Sequence, residues 1–271
     1  MKLYHYTNID SFSKIWVTKR LLFSENFSTN DIFEQRKFSP LVKKIYSTQR
    51  YSSPFEAYKA FNKLYTNELS KYKQISFTTD YLSESNEILM KGWMSPMMWG
   101  QYAHNKNGVC IEIESNNLEM KRDMYQDRVT YTYNIPQLKI DDDFLILSSD
   151  TIKQYIASNL HDIFYIKHKH WEHENEYRII KRTKLGSYLS IKNAITAVYV
   201  FSANTLETQI VEQLLLNSID LYALWTENDN GNILIDRVYM PQYRKAMNSV
   251  NGLVPIKLNV SSELLKSLAR H

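Results

Sequence analysis

The 271-residue sequence is poor in cysteine, glycine and proline, with one of the first and six of each of the others. The lone thiol, Cys110, can close no internal disulfide, and secreted chains of this size usually carry paired cysteines, so a reducing compartment is expected. Few glycines and prolines also mean no low-complexity linker, and no internal repeat is visible. One domain spanning 1–271 is therefore expected. No apolar run reaches the roughly 18 residues of a membrane-spanning helix, and the opening MKLYHYTNID turns polar too early for a signal peptide. These absences point to the cytoplasm and away from a membrane. Charge is nearly balanced as well: 33 basic against 29 acidic side chains leave +4, with no basic arm or stripe. Nucleic-acid binding is permitted by that balance but not indicated.

What the chain does have is aromatic and apolar mass. Hydrophobic residues make up 44% and aromatic residues 13%, with 20 tyrosines and 5 tryptophans. That composition can offset the ordering entropy of a compact core. Apolar spacing predicts a first strand at Lys2–Tyr6, followed by a helix with Phe12, Ile15 and Trp16 on one face. A second helix starts at the Ser53 cap with Pro54 in its first turn, and Phe55, Tyr58, Phe61, Tyr65 and Tyr72 recur along it. Strands are expected at 74–78, 109–114, 128–133, 174–181, 195–201 and 221–225. In the second of these, Val109, Ile111 and Ile113 alternate with Cys110, Glu112 and Glu114. An amphipathic helix is expected over 152–167, and Asn204 with Glu207 resembles a capping box for a helix running to Leu216. Strands and helices mix without a strict βαβ rhythm and no glycine-rich turn follows a strand, which argues against a doubly wound dinucleotide fold. The fold class read from this pattern is α+β, with a mixed, mostly antiparallel sheet flanked by helices.

Four clusters place polar groups where a plain strand or helix would not need them. On the first strand His5 and Thr7 share one face, while Tyr4 and Tyr6 share the other. Around Ser28, Thr29, Asn30 and Asp31, small polar residues suggest a turn that could order a loop over a site. In MMWGQYAH, Trp99 and Tyr102 lie on one helical face, which suits either core packing or a wall for an aromatic ligand. The fourth cluster is KHKHWEHENEYRII, residues 167–180. His161, His168, His170 and His173 fall in or just before it, yet their spacing suits no zinc site, so no metal is expected. In an extended chain Glu174, Glu176 and Arg178 share one face, a surface ion pair or the floor of a polar pocket. Tyr177 and Ile179 share the other face, where packing is expected.

In order along the chain, LYHYTN, STNDIFE, ISFTTD, MMWGQYAHNKNGVCIEIE and WEHENEYRII resemble a bacterial family known as a domain of unknown function. These matches run from Leu3 to Ile180. A more distant resemblance is to ADP-ribosyltransferases, which carry a His, Tyr, Glu arrangement. It implies that His5 holds a ribose of NAD, that Tyr102 stacks on nicotinamide, and that Glu176, with Glu174 as its competitor, polarises the nicotinamide ribose. Tyr6, Thr7, Asn30, Asp31, Trp99, Glu174 and Arg178 would then line the NAD site. The implied function is an NAD-using ADP-ribosyltransferase or NAD glycohydrolase, in anti-phage defence or as a toxin, with a protein or nucleic-acid acceptor. Two other readings stand beside it. One is a non-catalytic module that senses a nucleotide. The other is a metal-assisted nuclease or phosphodiesterase using Glu174, Glu176, His170 and His173.

Overall fold

A computed structural model describes residues 1–25, 53–105, 107–136, 148–183, 186–201, 206–226 and 233–238. Its elements begin with β1 (Lys2–Asn8), α1 (Ile9–Thr18), β2 (Arg20–Leu22), β3 (Ser24–Glu25), α2 (Pro54–Leu69) and β4 (Tyr72–Thr79). The short strands β5 (Tyr81–Leu82) and β6 (Ile88–Met90) precede α3 (Pro96–Tyr102) and β7 (Gly108–Glu114). Next come β8 (Met124–Arg128), β9 (Thr130–Thr132), α4 (Ser149–Ser158), α5 (Leu160–Phe164), β10 (Ile166–His168) and β11 (Glu176–Arg182). The last are β12 (Tyr188–Ser190), β13 (Ile195–Val200), α6 (Thr208–Leu216), β14 (Asp220–Thr226) and β15 (Ile233–Arg237). The fold is α+β with a mixed main sheet: β1 with β4 and β7, β3 with β4, β8 with β11, β7 with β13, and β14 with β15 pair antiparallel, and β13 with β14 parallel.

The chain divides into two compact units, each gathered from distant segments. Unit 1 is Met1–Leu21, Phe77–Glu119 and Ser190–His271, and unit 2 is Leu22–Ser76 and Met120–Leu189. Unit 1 contains the strand order β15-β14-β13-β7-β1-β4, β4 contributing its last three residues. The register lines up Tyr6, Cys110, Tyr199 and Tyr222 in one row across four strands. The next row on the same face is Tyr4, Glu112, Ala197 and Asp220. Alternation sends His5, Ile111, Val198 and Leu221 to the other face. On β7 the expected pattern holds, since Val109, Ile111 and Ile113 are fully buried.

The tyrosine face of unit 1 is covered by α3 and by a 3-10 turn at Gly92–Met94. Trp93, Met98, Trp99 and Ala103 pack there against Tyr4, Tyr6, Cys110 and Tyr199. Ser95 caps α3 by accepting from the Met98 N–H, and Pro96 occupies its first turn, as the sequence predicts. Glycine is required at position 92, where a side chain would run into the Tyr4 ring and the Thr79 carbonyl. Trp93, Tyr199 and Tyr222 stack in series, their centroids 5.1 and 5.0 Å apart.

Unit 2 holds the rest of β4, with β3 beside it, and the order β4-β11-β8. Its core is helical: Phe61, Tyr65 and Leu69 of α2 meet Ile152, Tyr155 and Ile156 of α4, with Phe164, Tyr165 and Ile180. Three sequence expectations change here. Phe55 is exposed and Tyr72 belongs to β4, so the packed stripe of α2 is shorter than expected. The helix expected over 152–167 is instead α4, α5 and then β10. Asn159 interrupts it, its side-chain amide donating to the Tyr155 carbonyl at 2.9 Å. The strand expected from 174 begins at 176, because Lys169–Glu174 winds into a 3-10 turn and Asn175 takes a left-handed conformation (φ 43°, ψ 52°).

Candidate functional site

The last of these changes builds the most unusual group of side chains in the described residues. β10 runs parallel to β9 and carries Lys167 inward, and the chain then turns through 169–174 before entering β11. The left-handed Asn175, a conformation asparagine tolerates better than most residues, reverses the path. It leaves Glu174 and Glu176 both facing Lys167. The Lys167 ammonium donates to Glu174 Oε2 at 2.5 Å and to Glu176 Oε2 at 3.5 Å. Arg178, two residues along β11 and therefore on the same side, grips Glu176 with both arms, Nε to Oε1 at 2.6 Å and Nη2 to Oε2 at 2.7 Å. Its remaining nitrogen donates to the Phe164 carbonyl at 2.7 Å. The Glu176 backbone N–H donates to the Tyr131 hydroxyl at 2.8 Å, tying the start of β11 to β9.

These four charged side chains are each at most 6% exposed. Two cations and two carboxylates leave the group neutral, which is the usual condition for burying ions. Burial by itself pushes the Glu176 carboxyl up. The Arg178 and Lys167 charges, with hydrogen bonds from Arg178 and Ser76, outweigh it and hold the group at about 2. Glu176 is thus ionised throughout the physiological range. Burial raises the Tyr131 phenol, and the Glu176 charge adds to that, so Tyr131 stays protonated. The Lys167 ammonium also lies 4.8 Å from the centre of the Trp171 ring. Removing one partner from such a group typically costs about 3–5 kcal/mol, because the other ion stays buried and uncompensated.

Of the residues singled out from the sequence, Glu174, Glu176 and Arg178 come together in unit 2. Glu174 is not on the strand, as expected, but in the turn before it. The packed residue expected beside them, Tyr177, is only half-buried, whereas Ile179 is fully buried. At the start of β11 the charged side is therefore the more enclosed. Lys167, Tyr131 and Ser76 were missed. Lys167 was placed at the end of the helix expected over 152–167, whereas it lies on the strand β10.

The other residues fall in unit 1. Tyr6, Trp99 and Tyr102 belong to the aromatic cluster under α3, with Tyr102 packed at its margin. Trp99 is 1% exposed, its indole N–H donates to the Trp93 carbonyl at 2.8 Å, and its ring meets those of Tyr6 and Phe201 edge-on. It packs the core and offers no open face to a ligand. The Tyr6 hydroxyl donates to the Gly92 carbonyl at 2.6 Å. His5 and Thr7 share the opposite face of β1, as alternation predicts. His5 is half-buried with its ring edge-on to Phe77 at 5.8 Å, and Thr7 is buried. Asn30 and Asp31 lie outside the described residues. Burial pushes the Cys110 thiol up, which keeps it protonated and unreactive.

His168 and His170 sit with ring centres 4.5 Å apart beside Tyr133. Among the described residues, however, no group of three or more His, Cys, Asp or Glu is arranged to hold a metal. The nuclease reading therefore finds no ligand set there. Among the described residues no helix is long and apolar enough to cross a membrane.

Residues 98–179 match the model of a family described as "Protein of unknown function (DUF2971)". The matched stretch supports the resemblance to a family of unknown function. It includes Trp99, Tyr102, Lys167, Glu174, Glu176 and Arg178, and excludes His5 and Thr7. No curated protein and no solved structure matches the chain.

Proposed function

We propose that the chain uses NAD, transferring or hydrolysing its ADP-ribose with the help of the buried carboxylates of unit 2. In that reaction the bond between the ribose and nicotinamide breaks, and nicotinamide leaves with the bonding electrons. The sugar left behind is an oxocarbenium-like cation, which water or an acceptor nucleophile captures with loss of a proton. A carboxylate that is ionised and shielded from water stabilises such a cation far more than one in bulk solvent. The observation that supports this reading is the Glu174 and Glu176 pair: two carboxylates turned toward one point by a left-handed residue, with Glu176 held ionised.

A second reading has its own support. Both oxygens of Glu176 already bind cations, so its charge is neutralised before any substrate arrives. A module that binds a nucleotide without turning it over needs no spare carboxylate, and there the same residues would hold the fold. Incubation with NAD, with and without cell extract or nucleic acid, separates the two. Mass measurement of every component should find free nicotinamide, and ADP-ribose either released or attached to an acceptor. Glu174→Gln or Glu176→Gln, tested as folded protein, should abolish the release, and His5→Ala and Tyr102→Ala test the remaining roles implied by the transferase resemblance. A thermal shift with NAD but no product would favour the binding module. Neither shift nor product would overturn both. A defence or toxin role follows only from turnover, and growth arrest on expression, lost in the inactive variant, would reveal it.

A further inference from the structure

In unit 1 the phenols of Tyr4, Tyr6, Tyr199 and Tyr222 each donate to an oxygen, on Asp80, Gly92, Glu112 and Asp220 in turn. Tyr131 of unit 2 is used the other way round. Its oxygen accepts the Glu176 N–H at 2.8 Å, and among the described residues its own O–H meets no acceptor. The strand register fixes where that donor lies. Tyr131 on β9 pairs with Lys167 on β10, and residues paired in register point to one side. Lys167 is the cation that holds Glu174 and Glu176, so the phenol stands at the margin of the two carboxylates, half-buried where they are enclosed. Trp171 is also half-buried and lies over the Lys167 ammonium at 4.8 Å. Its indole N–H likewise meets no acceptor among the described residues.

We propose that Tyr131 is a specificity-determining residue, donating its O–H to a ribose hydroxyl of the nucleotide held at these carboxylates. This inference rests on the reading of unit 2 as a site for NAD, and it names the part of that molecule the protein recognises there.

The neighbours of the phenol select a hydroxyl over other acceptors. A phosphate, a carbonyl and a hydroxyl oxygen can each accept from an O–H donor, whereas an ionised carboxylate accepts and never donates. A phosphate brought beside Glu174 and Glu176 would meet like charge, and a carbonyl would offer them no proton. A hydroxyl satisfies both sides, accepting from the phenol at its oxygen and donating its own proton to a carboxylate. Ribose carries two such groups side by side, and the ribose bonded to nicotinamide is the sugar on which the cation forms. Tyr131 suits the role of donor. Burial, and then the charges of Glu176 and Glu174, keep the proton on its oxygen, and the bond from the Glu176 N–H fixes where that oxygen sits.

The test measures binding by calorimetry with two probes that the chain cannot cleave. One is carba-NAD, in which a carbon replaces the ring oxygen of the nicotinamide ribose. The other is the same molecule without the 2′- and 3′-hydroxyls of that sugar. Wild type should bind carba-NAD at least about fivefold more tightly than the dideoxy probe, the share of one net hydrogen bond. Tyr131→Phe keeps the aromatic ring and should lose about fivefold on carba-NAD while staying within about twofold on the dideoxy probe. Equal weakening on both probes would assign Tyr131 to holding the Glu176 N–H alone and overturn the proposal. A wild type indifferent to the two hydroxyls would overturn it as well, and that result needs no variant to fold. If wild type binds both probes and Tyr131→Phe changes neither, this inference falls and the NAD reading stands. If wild type binds neither, the NAD reading falls and this inference with it.

Discussion

In unit 1 the carboxylate of Glu112 is met by a phenol, a hydroxyl and a single ammonium. Tyr199 donates to it at 2.7 Å, Thr196 at 2.7 Å and Lys2 at 2.8 Å. Asp80 is held in a similar manner by the Tyr4 hydroxyl at 2.8 Å, the Gly92 N–H at 3.0 Å and Lys91 at 3.3 Å. In unit 2 the corresponding groups are gripped by full charges. Glu176 lies between Arg178 at 2.6 Å and Lys167 at 3.5 Å, and Glu68 between Arg182 and Lys71, both at 2.6 Å. The difference lies in what happens when one partner is lost. Neutral donors share the solvation of a carboxylate, so the loss of one leaves the others in place. A buried charge pair has no substitute, and its loss strands an ion where water does not reach.

The sharpest break of this comparison is Arg178→Ala, which leaves Glu176 buried with only Lys167 to oppose it. The expected loss is about 3–5 kcal/mol, read from the denaturant midpoint, with amide exchange rising first in β11. A loss under about 1 kcal/mol would mean that the group behaves like a surface pair, and the distinction between the units would fail. Acid gives the same contrast without mutation. Burial raises the Glu176 carboxyl, but its cations hold it at about 2, and Glu68 is also held below its ordinary value by Arg182 and Lys71 against the pull of burial. A carboxyl depressed in the folded state contributes stability above its unfolded value near 4.3, and that stability is lost as pH falls toward the folded value. Unit 2 should therefore lose amide protection between about pH 4.5 and 2, ahead of unit 1. Among the described residues of unit 1 the depressed carboxyl is Glu114, which is partly exposed and paired with the N-terminal amine. Protection lost first in β7 and β13 would reverse the assignment.

Unit 1 should instead be sensitive to shape. Gly92→Ala puts a methyl group against the Tyr4 ring and the Thr79 carbonyl, in a turn that also supplies the carbonyl for Tyr6 and the N–H for Asp80. Overpacking of this kind costs about 1–3 kcal/mol, and thermal melting with near-ultraviolet dichroism of the tyrosine cluster would measure it. An unchanged melting temperature would show that the aromatic layer is looser than its stacking distances suggest.

How much of this could be read from sequence depended on the range of the interaction. The alternation of β7 and of β1, the Ser95–Pro96 start of α3 and the α+β class were legible because each rests on a local period or a local cap. The pairing of Glu176 with Arg178 was legible for the same reason, two residues apart on one strand. Lys167 was not, because its partners at 174 and 176 reach it only through a 3-10 turn and a left-handed Asn175, and the extended reading of 174–181 allowed for neither. Tyr177 misled in the opposite sense. An aromatic beside a glutamate suggested that the ring is packed and the acid open, yet the acid brought its own cations and is the more enclosed of the two.

The smallest expected effect is that of Tyr199→Phe, and it bears most directly on unit 1. Phenylalanine keeps the ring between Trp93 and Tyr222, so the stack survives with its 5.1 and 5.0 Å spacings. Only the hydroxyl is lost, and with it one of the donors to Glu112. Thr196 and Lys2 still reach that carboxylate, and its side chain is 12% exposed, enough for water to approach the vacated oxygen. A hydrogen bond lost where a replacement exists costs about 0.5–1.5 kcal/mol, well below the expected cost of Arg178→Ala. The two variants should be measured in one denaturant series, so that their midpoints are compared with the slope held constant. A Tyr199→Phe loss as large as that of Arg178→Ala would mean that the phenol, and not Lys2, carries the solvation of Glu112. In that case the two units bury their carboxylates by equally irreplaceable contacts.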